Sequence, residues 1–187
     1  SIGGVGLIKD YTKMISMDLK EVDNLVLIIG KTEGHIDQSL FARSILDEKN
    51  GPPPEVNLFN EKNNGESLLD LINKDYIQSA HDISLGGLIT AISKMCIQGN
   101  KGIKLKKANN FVNELEYLFS EDQGRYIIEI KPEDLKEVTN LLDKNSVHYD
   151  ELGIITDKEM IINQKTKLTI DELKSYYTNW LTNYMSA

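Results

Sequence analysis

The sequence predicts an α/β (α+β) fold, a mixed β-sheet flanked by helices. Three observations carry that expectation. Strand-like and helix-like segments alternate irregularly along 187 residues, with no internal repeat and no low-complexity linker. The run Asn24-Leu25-Val26-Leu27-Ile28-Ile29-Gly30 is continuously apolar up to its glycine, as a strand covered on both faces should be. Finally, a strand breaks into Ser79-Ala80-His81-Asp82-Ile83-Ser84-Leu85-Gly86-Gly87-Leu88 and enters a helix whose apolar residues, Leu88, Ile89, Ala91, Ile92, Met95 and Cys96, recur at helical spacing.

Taken in order, Gly3-Gly4-Val5-Gly6-Leu7-Ile8 reads as a strand entered without the usual turn or cap, as in the latter part of a longer protein. After the apolar strand, Lys31 to His35 is a loop and Gln38 to Leu46 has helical spacing. Gly51-Pro52-Pro53-Pro54 is excluded from regular structure, because proline removes donors and restrains its neighbour. A helix is expected from Glu66 to Asn73, then the strand Tyr76 to Ala80 and the helix opened by Gly86-Gly87. Gly102-Ile103-Lys104-Leu105 alternates as a short strand, followed by a polar stretch from Lys106 to Asn113 and the segment Leu115 to Phe119. Arg125 to Ile130 is a strand, and Pro132 opens a helix toward Lys144. Tyr149 to Thr156 and Met160 to Ile162 are short strands. Thr169-Ile170-Asp171-Glu172 starts the closing helix with a capping box. That helix carries Tyr176, Tyr177, Trp180 and Tyr184, a pattern of packing or of a partner surface more than of a base-stacking platform.

Composition excludes some functions. The net charge of −8 argues against nucleic acid and against an anionic membrane as main partner. No apolar run approaches the ~20 residues that span a bilayer, and the first residues lack a signal-peptide layout. The single cysteine, Cys96, sits on an apolar helical stripe and has no second cysteine for an internal disulfide, so a cytoplasmic address is expected. Of the 21 Lys and Arg residues only Arg43 and Arg125 are arginine, so Arg125 draws notice as a bidentate donor in a lysine background.

Two corners can support chemistry. In His81, Asp82, Ser84, Gly86 and Gly87 a strand turns into a helix start, where unpaired N–H groups and the dipole favour an anion such as phosphate. Ser84 can cap the helix or face a ligand. Equally, His81 and Asp82 can bond each other and simply shape the turn. The second corner is Leu118-Phe119-Ser120-Glu121-Asp122-Gln123-Gly124-Arg125. Here a scarce arginine beside carboxylates suggests a charge-assisted, bidentate pair, whether for a ligand or to fix the loop. No Gly-x-Ser-x-Gly elbow and no metal-ligand spacing around His35 or His148 is evident.

These same segments carry a resemblance. His81 to Leu88 with the helix through Met95, Leu118 to Arg125, Ile2 to Ile8, Gly30-Lys31-Thr32 followed by Gln38-Ser39, and Asp150 to Ile155 with Gly153 resemble, in order, the phosphoribosylformylglycinamidine synthase subunit II family. Its superfamily includes aminoimidazole ribonucleotide (AIR) synthetase and selenophosphate synthetase. The resemblance implies a single AIR synthetase C-terminal-like domain over residues 1–187, the second αβ half of a duplicated enzyme. The activity implied is ATP- and glutamine-dependent conversion of formylglycinamide ribonucleotide to the amidine in purine synthesis. ATP and Mg2+ would be bound, and catalysis carried, by segments preceding Ser1, leaving this chain inactive alone. Implied partners are the N-terminal ATP-binding half, a separate glutaminase subunit, a small bridging subunit and the ribonucleotide substrate. Ligand or phosphate candidates in this chain are His81, Asp82, Ser84, Gly86, Gly87, Glu121, Gln123, Gly124 and Arg125. The Glu121 and Gln123 assignments rest on position alone. A non-catalytic scaffold, or the matching domain of a related synthetase, are the alternatives.

Overall fold

A computed structural model describes residues 3–106 and 113–186. Residue 2 of the glycine-rich start and residues 107–112 of the polar stretch lie outside them. The elements are β1 (Leu25–Ile29), α1 (Leu40–Ser44), α2 (Leu58–Asn73), β2 (Ile77–Asp82), α3 (Gly87–Gly99), β3 (Gly102–Leu105), α4 (Glu114–Phe119), β4 (Tyr126–Ile130), α5 (Leu135–Lys144), β5 (Tyr149–Thr156), β6 (Glu159–Ile162), β7 (Thr166–Thr169) and α6 (Ile170–Ser186).

The seven strands form one sheet in the order β2-β4-β1-β5-β3-β6-β7. The pairings are antiparallel except β3 with β6, so the sheet is mixed as expected. Strands β1 and β4 lie inside it, and alternate side chains supply two cores. Val26, Ile28 and Ile127 face α3, α4 and the start of α6, with Leu88, Met95, Cys96 and Ile170. Leu27, Ile29, Ile128 and Ile130 face α2 and α5, with Leu71, Val138 and Leu142. Helices therefore cover both faces, which explains the unbroken apolar run of β1.

Several boundaries depart from the sequence expectation. Gly3 to Ile8 is not a strand: it is exposed coil, with no neighbouring strand among the described residues to pair its backbone. Helix α2 begins at Leu58, where the Asn57 side chain caps the amide of Asn60 directly after the proline run. Strand β2 runs through His81 and Asp82, since Asp82 still pairs with Tyr126. The segment after the polar stretch is helix α4, opened by a capping box between Asn113 and Glu116. Strand β7 was not anticipated. The capping box at Thr169 and Glu172 is present, with the Glu172 carboxylate accepting from the Thr169 amide at 2.7 Å and the Glu172 amide donating to Thr169 Oγ1 at 3.2 Å. The Thr169 amide, together with the Thr169 hydroxyl that donates to the same carboxylate at 2.8 Å, holds the Glu172 carboxyl below its ordinary pKa.

Candidate functional site

Sheet direction brings the two corners together. Because β4 is antiparallel to both β1 and β2, the end of β1, the end of β2 and the start of β4 lie at one edge of the sheet. The loop after β1 (31–39), the turn before α3 (83–86) and the loop before β4 (120–125) meet there. Gly30, with φ +91°, closes β1 where a Cβ would stand 2.5 Å from the Gly124 carbonyl oxygen, so only glycine lets the loops approach this closely.

Glu121 joins the corners. Its Oε1 accepts from the Gly86 amide at 2.8 Å and from the Leu40 amide at 2.7 Å, and its own amide donates to the His35 carbonyl at 3.1 Å. The carboxylate thus occupies the N–H groups at the entry of α3 and the first turn of α1. Asp122 does the same for the neighbouring loop, with the amides of Glu33, Gly34 and His35 each donating to its carboxylate at 3.0 Å.

Arg125 is 1% exposed. The expected bidentate pair with a carboxylate is not what it makes. Nη2 donates to the Ser120 carbonyl at 2.7 Å, Nε to the Asp122 carbonyl at 3.2 Å and Nη1 to Thr32 Oγ1 at 3.1 Å. The nearest carboxylate oxygen, of Asp122, is 3.9 Å away. The Asp122 oxygens already serve three amides, so the guanidinium turns to loop carbonyls. Burial draws the Arg125 pKa down, opposed by the Asp122 charge.

In the other corner His81 Nδ1 lies 3.2 Å from the Asp82 carboxylate, the mutual contact that shapes the strand end. Burial lowers the His81 pKa, partly offset by Asp82 and reinforced by Lys94, so the imidazole is neutral at neutral pH. Ser84 does not cap α3. The N-cap is Gly86 in the left-handed region with no side-chain cap, and Ser84 is exposed, its carbonyl accepting from the Gly87 amide at 3.0 Å. Gly87 packs against the end of α4, where a Cβ would come within 2.7 Å of the Ser120 oxygen.

Beside the corner opens a cleft of about 390 Å³, lined by Lys31, His35, Asn60, Glu61, Gln123 and Gly124 among others. Asn64 of α2 closes its floor by donating to the Gly124 carbonyl at 2.9 Å. The contribution of α2 went unforeseen because the helix was expected to start at Glu66. The chain of amides at 33–35 around Asp122 likewise left no local signature. Among the described residues no three His, Cys, Asp or Glu side chains converge to hold an ion. The Cys96 thiol is buried, its pKa pushed up to about 12, and is no nucleophile. No described helix is long and apolar enough to cross a membrane.

Comparison with known proteins shows what the chain is similar to. The family model "AIR synthase related protein, C-terminal domain" matches residues 21–163. The phosphoribosylformylglycinamidine synthase subunit PurL of Pelagibacter ubique is 68% identical over 185 residues, covering 99% of this chain and 25% of the relative. The same-named subunit of Bartonella henselae is 37% identical over the same share of each. The chain therefore spans about a quarter of the length of the curated relatives it matches. Among solved structures, Thermotoga maritima PurL complexed with FGAR superposes with a TM-score of 0.70 at 17% identity, covering 87% of this chain and 29% of that one.

Proposed function

Since the chain belongs to the AIR synthase related protein C-terminal domain family, we propose that it is the closing αβ domain of a PurL-type phosphoribosylformylglycinamidine synthase. The observation that carries the proposal is the 68% identity to a PurL subunit across 99% of the chain. The whole enzyme would use ATP to phosphorylate the formyl-glycinamide oxygen of its ribonucleotide substrate. Ammonia then attacks the activated carbon and expels phosphate, giving the amidine, a C–N ligation. Thermotoga maritima PurL complexed with ATP supports nucleotide as reactant, and the PurLQS structure of the same organism supports separate partner subunits. In this proposal one such subunit supplies ammonia from glutamine. A cytoplasmic setting and a single domain over 1–187 belong to the same proposal.

Within that enzyme the residues of this chain hold loops rather than reacting atoms. Glu121 and Asp122 satisfy five backbone amides between them, and Arg125 ties three loop oxygens. An anion reaching Gly86 would have to displace Glu121. The exposed side chains left for a ligand are Asp82, Ser84 and Gln123, with half-buried His81 and Gly124 beside them. We draw no step through Mg2+ on these residues, because no described cluster could hold it.

The test is ammonia-dependent amidine formation with ATP and Mg2+. The full-length polypeptide turns over and the 187-residue chain alone does not; no turnover by the full-length polypeptide, or robust turnover by the chain, overturns the reading. The way Glu121, Asp122 and Arg125 are consumed by backbone favours a second reading, a scaffold domain whose corner only stabilises loops.

A further inference from the structure

Helix α6 presents an apolar face that the domain does not cover. Ile170 is buried and Leu173 packs on the core beneath α3, while Lys174 Nζ donates to Asn100 Oδ1 at 2.7 Å. Ile170, Leu173, Tyr177, Trp180 and Tyr184 follow the 3-4-3-4 spacing of one helical stripe, with Leu181 flanking it four residues after Tyr177. The stripe that packs on the core at its start thus continues outward with none of the described residues covering it. Tyr177 is 52% exposed, Trp180 62% and Tyr184 74%. From Ser175 to Ala187 there is no charged residue, in a chain that is 27% charged. Tyr, Trp and Met with charge excluded is the composition of the dry centre of an interface, not of a solvated helix.

We propose that the outer half of this stripe docks into an apolar groove on the remainder of the same polypeptide. The proposal rests on the reading of the chain as part of a PurL-type subunit. The chain spans 25% of the length of its curated relatives, so the larger part of such a polypeptide lies outside it. A covalently linked body presents its groove at millimolar effective concentration, ahead of any free partner. Continuity with the domain's own core is what an intrachain contact produces. The occupant is therefore an apolar groove that receives an amphipathic helix, with Trp180 and Tyr184 as anchors.

Hydroxyl-radical footprinting of the full-length polypeptide, read residue by residue by mass spectrometry, tests this. Trp180 and Tyr184 should be oxidised about tenfold or more slowly than in the same polypeptide unfolded in denaturant, as for side chains in a water-excluding interface. The protection should be independent of protein concentration and unchanged by glutaminase and bridging subunits. Reactivity close to the unfolded rate overturns the proposal. So does protection that appears only with the added subunits, which would make them the occupant, or only on raising concentration, which would make it a second copy. Tyr184→Lys places a charge in the groove and should restore Trp180 reactivity in the folded enzyme; a Trp180 that stays protected there overturns the assignment of the stripe. Amidine formation by the wild-type preparation reports separately on the functional reading. An active enzyme with an unprotected helix sinks only the docking, and an inactive one with a protected helix sinks only the function.

Discussion

Arg125 is the side chain on which most of the corner depends, and its energetics follow from burial. Its guanidinium is 1% exposed and replaces water with the Ser120 and Asp122 carbonyls and the Thr32 hydroxyl. Truncation leaves those three acceptors without their donor and removes the positive charge that stands 3.9 Å from the Asp122 carboxylate, so Arg125→Ala should lower the unfolding free energy of the chain by about 3–5 kcal/mol. Arg125→Lys should recover only part of this, because one ammonium cannot span three acceptors set for a planar fork. Denaturant midpoints of the three proteins check the ranking. If the corner is a scaffold, full-length Arg125→Ala keeps its amidine-forming rate per folded molecule; a large fall in that rate at equal folded fraction would place Arg125 in the reaction. The scarcity of arginine made the residue legible in the sequence. Its partners were not, since the amides that saturate Asp122 come from 33–35, nearly ninety positions away in sequence. Glu129 illustrates the same limit. It sits as a fully buried carboxylate in β4, accepting from the amides of Lys20 and Glu21, from Asn24 and from Ser79, and nothing local in Ile-Ile-Glu-Ile announces that cage.

Between elements, glycine separates helix starts that the fold requires from helix interiors that it merely tolerates. Gly87 opens α3 at φ +70°, and an added Cβ would lie 2.7 Å from the Phe119 carbonyl carbon and from the Ser120 oxygen, both backbone atoms that cannot swing away. Gly87→Ala combines left-handed strain with overpacking and should cost the chain roughly 3 kcal/mol or more. Gly65 sits inside α2, where the nearest atom to a new Cβ is Tyr126 Oη at 3.7 Å, an ordinary contact. Gly65→Ala should therefore stabilise by about 0.5–1 kcal/mol through helix propensity and a less disordered unfolded chain. Thermal melts of both variants decide it: a neutral Gly87→Ala or a destabilising Gly65→Ala contradicts the packing described. The same contrast explains what the sequence revealed of the elements. Strands β1, β3, β4 and β5 and helix α3 have apolar periods strong enough to read directly. The first turns of α2, with Asn60, Asn63 and Asn64 ahead of Gly65, look like loop, and become helix through the Asn57 cap and packing on the sheet. The converse error, a strand at Gly3 to Ile8, arose because a short apolar run shows a capacity for pairing and not the presence of a partner strand.

For the molecule as a whole, the sheet is the shared wall of two cores, and this sets how it unfolds. Neighbouring residues of β1 point to opposite sides, Val26 and Ile28 toward Met95 and Leu27 and Ile29 toward Leu142. Neither core can therefore dissolve without exposing the back of strands that line the other. Met95 and Leu142 are both fully buried, so Met95→Ala and Leu142→Ala should each cost about 2–5 kcal/mol. The two sites are separated by the sheet and share no buried cluster, so the double variant should lose the sum of the single losses within ~0.5 kcal/mol. Both losses should appear as a lower midpoint of one transition, with fluorescence and far-ultraviolet circular dichroism coincident. The alternative is a molecule whose α3 side and α2–α5 side melt separately. In that case Leu142→Ala would split the transition and leave part of the circular dichroism change at the original midpoint, and the sheet could not be the common structural unit inferred from its register. Coincident curves would mean that the corner at the sheet edge, where Glu121 bonds to α3 and Asn64 of α2 bonds to Gly124, is held from both faces at once. Its geometry would then persist as long as the whole domain does.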